Sequence, residues 1–189
     1  GNIMGCVDLG YMYSEGKGTS QDLPKAVSLY RKGCDDGEPL GCYNLGVLYR
    51  DGDGVVQDYP KAIQLFTQSC DAEYWGACYN LGVMYAKPEG VPQNYPKAVT
   101  YFQPACEKGN AESCNYLGYL YSNGLGVSLD DARALELYKM ACELCDSLGC
   151  SNVSKMSIVL PDSTFHIQSV SAPRTHNGVH LGLALGRGQ

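Results

Sequence analysis

The sequence predicts an all-α solenoid, a superhelix of 36-residue helix–turn–helix repeats clamped by disulfides. Three observations carry that expectation. Cys6, Cys42, Cys78, Cys114 and Cys150 stand 36 residues apart, as do Cys34, Cys70, Cys106 and Cys142. The text around the first set repeats as GCVDLGYMY, GCYNLGVLY, ACYNLGVMY and SCNYLGYLY. The text before the second set repeats as DLPKAVSLYRKGC, DYPKAIQLFTQSC, NYPKAVTYFQPAC and DDARALELYKMAC. Self-similarity at a period of tens of residues marks units that cannot bury their own apolar faces and stack on neighbours to do so. Four units cover 5–40, 41–76, 77–112 and 113–148, a partial fifth begins at 149, and the array is expected to fill 1–155.

Each unit reads as two helices in order. In the first, Cys42, Leu45, Gly46 and Tyr49 fall at i, i+3, i+4 and i+7, one stripe of an α-helix. Gly10, Gly46, Gly82 and Gly118 recur in that stripe, each costing about 1 kcal/mol of helix propensity against Ala. The recurrence implies that two helix backbones approach closely there. The turn follows as EGKG, DGDG, KPEG or NGLG, which stops a helix. The second helix opens on Asp22, Asp58, Asn94 or Asp130 as cap, with Pro24, Pro60 or Pro96 in its first turn, where proline is tolerated. Its buried stripe is Ala62, Leu65, Phe66 and Ser69 with their counterparts. Two departures stand out. Pro104, inside a second helix, is expected to kink or shorten it. Pro88 replaces a turn glycine, so the third turn should differ in geometry.

Composition excludes several classes. With 14 Lys and Arg against 20 Asp and Glu, the net charge of −6 argues against nucleic acid or an anionic membrane as partner. No apolar run approaches the ~18–20 residues of a membrane span. The 44% hydrophobic content excludes wholesale disorder. The 15 tyrosines, against 3 Phe and 1 Trp, suit rings packed inward with wet hydroxyls. The chain opens at Gly1 without Met or a leader-like segment, so a processed protein or a piece of a longer one is expected.

Within the array, Cys34/Cys42, Cys70/Cys78, Cys106/Cys114 and Cys142/Cys150 are each eight residues apart. Each pair spans the end of one unit's second helix and the start of the next unit's first helix, close enough in space for a bridge. Small buried thiols in a reducing cytosol are the alternative; four evenly placed pairs favour bridging and hence an oxidising compartment. Cys6 lacks its partner eight positions upstream, which suggests that the array extends further toward the N-terminus. Cys145 lies where Gly37 and Gly109 sit and has no counterpart. CELC followed by Cys150 invites a zinc reading, but the repeat already explains two of those sulfurs and no His is near. Neither a metal nor a cofactor is expected.

These motifs, ACYNLGVMY…EGVPQNYPKAVTYFQPAC above all, resemble the Sel-one-like repeat family, relatives of the tetratricopeptide repeat, over about residues 1–153. The cysteine pair in every unit is similar to that of the Helicobacter cysteine-rich branch, which is secreted. The resemblance implies a right-handed superhelix whose concave face, lined by first helices, binds peptides or protein partners. It also implies an alternative, a weak penicillin-binding protein or β-lactamase, since some members of that branch bind and slowly hydrolyse penicillins.

Two ladders at the 36-residue period point away from the predicted core. One holds Asp8, Asn44, Asn80 and Tyr116; the adjacent one holds Val7, Tyr43, Tyr79 and Asn115, with Arg50 one turn on. If first helices line the concave face, these are the ligand-binding residues, since amide side chains pair with the N–H and C=O groups of an extended peptide. The competing expectation is that the Asn side chains brace neighbouring helices. Lys25, Lys61 and Lys97 are expected on a solvated outer face.

Catalytic machinery is sparse. His166, His176 and His180 all lie beyond the repeats. Ser14-Glu15-Gly16-Lys17 spells S-x-x-K in an inter-helix turn, but K-T-G is absent, so no catalytic residue is assigned. The chain is therefore expected to act as a monomeric periplasmic or secreted scaffold for a protein, a peptide or a cell-wall fragment. Residues 156–189 lose the repeat and read as an irregular or disordered tail, with a hairpin conceivable over 157–170.

Overall fold

The computed structural model describes residues 3–88 and 90–159, and these are helical throughout apart from the connecting turns. The first helices are α1 (Ile3–Glu15), α3 (Pro39–Asp51), α5 (Trp75–Ala86), α7 (Ala111–Asn123) and α9 (Ser147–Val159). The second helices are α2 (Leu23–Asp35), α4 (Tyr59–Asp71), α6 (Tyr95–Glu107) and α8 (Asp131–Glu143). Each helix packs on the next in sequence, and successive first helices also touch, α5 on α7 and α7 on α9, more closely than any two second helices do.

Local chemistry sets the boundaries. Asp22, Asp58, Asn94 and Asp130 each accept a hydrogen bond from the backbone N–H three residues on, at 3.1, 2.9, 2.9 and 2.8 Å. These bonds satisfy orphan donors at the start of every second helix. Beside two of these caps, Lys25 and Lys97 lie over the Tyr13 and Tyr85 rings, their ammonium nitrogens 5.0 and 4.3 Å from the centroids. The helices α3 and α7 end on left-handed glycines, Gly52 (φ 81°) and Gly124 (φ 62°). The third turn differs, as Pro88 leads one to expect: α5 stops a residue early at Ala86, and Lys87 is extended (φ −109°, ψ 145°). A residue before proline is pushed out of the helical region by the pyrrolidine ring.

Pro104 does not shorten its helix. The helix α6 keeps the 13 residues of α2, α4 and α8. Only three residues follow the proline, and Phe102, Ala105 and Cys106 around it are buried, so packing holds the last turn in place. The helix α9 runs to Val159, past the expected array boundary at 155, so the first residues of the tail continue a helix and do not open a hairpin. Residues 160–189, with the three histidines, lie outside the described residues.

The recurring helical glycines answer a packing need, but what approaches them is an aromatic ring and not a second helix backbone, a correction to the sequence reading. A Cβ on Gly46 would lie 2.9 Å from the Phe66 ring, and one on Gly118 would lie 2.9 Å from the Tyr138 ring. Each first helix thus sits flat against an aromatic ring of its own unit. Phe66, Phe102, Leu81, Leu117 and Leu137 are sealed from solvent between units.

All four eight-residue pairs are disulfides: Cys34–Cys42, Cys70–Cys78, Cys106–Cys114 and Cys142–Cys150, with Cα atoms 4.4, 4.9, 4.6 and 4.5 Å apart. Each joins a second helix to the first helix of the following unit. Cys6 and Cys145 are unbridged. In the same turns, Gly37, Glu73, Gly109 and Cys145 hold one left-handed position, with φ of 88°, 62°, 89° and 68°. Cys145 therefore takes a conformational place usually filled by glycine here.

Among the described residues one buried side-chain oxygen is unpaired. Ser113 is fully buried and its Oγ has no hydrogen-bond partner, whereas the buried Ser69 donates to the Pro39 carbonyl at 2.8 Å. Position 113 is Ala77 in the preceding unit. Ser113→Ala is expected to raise stability by about 1 kcal/mol, the desolvation cost of the orphaned hydroxyl. Urea unfolding measures it, and a loss of stability would show that the hydroxyl has a partner.

Candidate functional site

The two predicted ladders meet each other. Neighbouring first helices touch through residues 37 apart, one from each ladder: Tyr43 with Asn80, Tyr79 with Tyr116, Asn115 with Asn152. The geometry is common to the array while the chemistry changes from slot to slot.

In the slot between α3 and α5, Asn80 is only 8% exposed. Its Nδ2 donates to the Gly76 carbonyl at 2.9 Å and to the Tyr43 hydroxyl at 3.5 Å, and its Oδ1 accepts from Arg50 Nη1 at 2.6 Å. Arg50 is in turn held by both carboxylate oxygens of Asp51, at 2.7 and 2.8 Å. Tyr43, Arg50 and Asn80 thus form one brace across two units, and Asn80 departs from the expectation of an open face. Rings fill the slot between α5 and α7. The Tyr79 centroid is 5.8 Å from that of Tyr116, and both rings pack on Phe102, at 6.1 and 5.3 Å. Burial first, then the charges and hydroxyls of Tyr116, Glu112, Asp146 and Tyr43, push the Tyr79 phenol up to about 12, so it stays neutral at physiological pH.

The outer slots are open. Between α1 and α3, Asn44 is half-buried and makes no side-chain hydrogen bond among the described residues. It lines a cleft of about 480 Å³ with Tyr11, Glu15, Gln21 and Asp53. Asp8 is exposed on the same helix face as Tyr11. Between α7 and α9, Asn115, Tyr116, Tyr119, Leu148 and Asn152 line a cleft of about 310 Å³. Asn152 and Tyr119 are absent from the sequence-based candidates. The period marks Asn152, which stands 36 residues after Tyr116. The repeat marks Tyr119 only through Tyr11, its counterpart in the first unit, since the two middle units hold Val47 and Val83 there.

Ser14 and Glu15 lie in the last turn of α1 and not in the turn itself, a correction to the sequence reading. The Ser14 hydroxyl donates to the Tyr11 carbonyl at 3.0 Å and meets the Tyr30 hydroxyl at 3.1 Å, while Lys17 donates to the Tyr11 hydroxyl at 2.6 Å. No Ser–Lys hydrogen bond forms there. Cys142 and Cys150 are spent on each other, and among the described residues no cluster of three metal-ligating side chains occurs.

Stacked helix hairpins, a fixed period and a continuous first-helix face define an α-solenoid of the kind suited to protein–protein interaction. Four copies of the Sel1 repeat match residues 3–38, 39–74, 75–110 and 111–144, so the chain belongs to the Sel1-repeat family. These bounds coincide with the helix pairs and sit two residues ahead of the units read from the sequence. Among solved structures, it is similar to a protective antigen of uropathogenic Escherichia coli strains displaying an SLR fold. That match has 33% identity and a TM-score of 0.79, covering 83% of this chain and 34% of that one. A Sel1 repeat protein from Oxalobacter formigenes matches at 30% identity and TM-score 0.79, covering 85% and 65%. Helicobacter pylori cysteine-rich protein B matches at 28% identity and TM-score 0.56, covering 70% and 95%. The chain thus spans about a third of the first protein's length and just under two thirds of the second's. A comparison with curated proteins gave no match.

Proposed function

We propose that the array is a binding scaffold of an oxidising compartment, the periplasm or the cell exterior, that holds an extended peptide or protein segment along the concave side formed by its first helices. Four disulfides support the compartment, since such bridges persist where thiols are not kept reduced. The closer contact between successive first helices supports their placement on the inner side of the curve. The observation that carries the reading is the α1/α3 cleft. It is open, it is lined by an amide with unused hydrogen-bonding capacity, and Asp8, Glu15 and Asp53 make its surroundings acidic.

Within this reading the ladder divides its labour. Asn44 and Asp8 face the ligand, while Tyr43, Tyr79, Tyr116, Arg50 and Asn80 fix the spacing of the helices that present it. Panning a displayed decapeptide library on the full chain supplies a probe peptide. Asn44→Ala is expected to weaken that peptide at least tenfold with an unchanged melting temperature. Asn80→Ala is expected to cost about 1–3 kcal/mol of stability by removing the amide that links Arg50, Tyr43 and the Gly76 carbonyl, leaving the folded fraction competent. An empty panning result, or undiminished binding by Asn44→Ala, would overturn the peptide reading.

A further inference from the structure

The cleft between α7 and α9 differs from the two middle inter-unit slots in its ring placement, and from the α1/α3 cleft in its uncharged amide-pair floor, in a way that selects a ligand class. In the two middle slots the ladder that begins at Val7 carries tyrosine, Tyr43 and Tyr79. The Tyr43 ring lies on Phe66 and Tyr74, with centroids 5.8 and 4.9 Å away, and the Tyr79 ring lies on Phe102 and Tyr116, so both slots are filled by aromatic carbon. In the last slot that position is Asn115. The ring has moved to Tyr119, one turn along α7, where it stands 49% exposed at the rim. Leu148, 63% exposed on α9, forms the facing wall.

The polar groups of this cleft are equally particular. Asn152 Nδ2 donates to Asn115 Oδ1 at 2.8 Å, and neither side chain makes another hydrogen bond among the described residues. Each amide has two donors and two acceptor lone pairs. The pair therefore keeps the Asn115 Nδ2 hydrogens and the Asn152 Oδ1 lone pairs for a ligand, a donor and an acceptor side by side on a half-buried floor. Among the described residues no charged side chain lines the cleft, although the chain as a whole carries −6.

An exposed ring face, an apolar wall and an adjacent amide donor and acceptor, all uncharged, match the surfaces of a pyranose ring. Its axial C–H groups carry partial positive charge and seat on the negative face of an aromatic ring. Its neighbouring hydroxyls each donate and accept, as the unspent amide groups require. The volume of about 310 Å³ is at the lower end of ligand clefts. A peptide backbone would satisfy the amides but has no rigid C–H face for Tyr119, and an ionic ligand finds no counter-charge. The geometry points to a carbohydrate subsite here that takes a neutral pyranose unit of a glycan, with Tyr119 as stacking platform and the Asn115–Asn152 pair as hydroxyl reader. This inference is independent of the peptide reading, which centres on the opposite end of the array.

Calorimetric titration of the full chain with chitotriose, cellotriose and maltotriose tests it. Saturable binding of at least one trisaccharide is expected, chitotriose marking an amino-sugar polymer as the source and the other two a glucan. Tyr119→Ala removes an exposed side chain, so the fold is retained, and it should weaken the bound sugar at least tenfold, about 1.4 kcal/mol. Asn152→Ala should do the same, with circular dichroism confirming its fold, while Tyr11→Ala should leave sugar affinity unchanged. Absence of binding by all three sugars at several millimolar overturns the proposal. So does binding that survives Tyr119→Ala.

Discussion

Protein refolded with its disulfides fully reduced is expected to show no cooperative helical melt at 37 °C, while the oxidised protein does. Each bridge closes a loop of about nine residues, worth about 2.5 kcal/mol of unfolded-chain entropy. Four such bridges amount to about 10 kcal/mol, comparable with the ~5–15 kcal/mol that holds a typical domain folded. Cys34, Cys42, Cys78, Cys106 and Cys114 are all at most 3% exposed, so reductant reaches them only through unfolding, and reduction belongs in denaturant before refolding. Stacked repeats lose stability interface by interface. A single pair replaced by alanines, Cys106 with Cys114, should therefore lower stability by about 2.5 kcal/mol and broaden the transition. Circular dichroism at 222 nm with and without reductant reads both effects. A reduced array melting within about 5 °C of the oxidised one would refute the account, since a 1 kcal/mol loss already shifts a domain of this size by about 2–4 °C.

Gly126→Ala is expected to cost about 3 kcal/mol or more. Gly126 follows α7 with φ +73°, a conformation in which an L side chain is strained. A Cβ there would also meet backbone, 2.5 Å from the Tyr95 carbonyl carbon and 2.6 Å from the Pro96 nitrogen at the start of α6. Backbone at a capped helix start cannot step aside as a side-chain tip can. Gly37→Ala is the matched control, because Gly37 has φ +88° and open space where the Cβ would go. It should lose only the conformational part, about 1–2 kcal/mol. Urea unfolding of both variants separates clash from strain. Equal losses would show that the turn does not press on the preceding unit.

That contact marks the limit of what the sequence reveals. The period exposed the helix pairs, the caps, a close approach at the helical glycines (though not that a ring makes it) and all four disulfides, because each depends on residues within one unit or its immediate border. NGLG likewise reads as a helix stop, yet nothing in the letters says that Gly126 lies against Tyr95 and Pro96. The ladders show the same division. Periodicity correctly placed Asn44 and Asn80 at one helical position. Whether each amide is open or consumed depends on what the preceding unit offers it: Val7 for Asn44, Tyr43 together with Arg50 for Asn80. Equivalent positions in a repeat are equal in backbone and unequal in company. The repeat text stops near Lys155 while α9 runs to Val159, because contacts with α7 and α8, which the letters do not show, hold it in place.

The placement of the disulfides has a consequence for how such a gene can change length. Every bridge crosses a unit border with a spacing of eight inside a period of 36. Excising one period between Cys34 and Cys150 either removes a bonded pair whole or splits two pairs and joins their remainders. Loss of residues 75–110, for instance, takes Cys78 and Cys106 together, and Cys70 then stands eight residues before Cys114. Insertion of a period restores the spacing in the same way. Unequal recombination between units can therefore lengthen or shorten the first-helix face without adding an orphan thiol, so array length is free to vary.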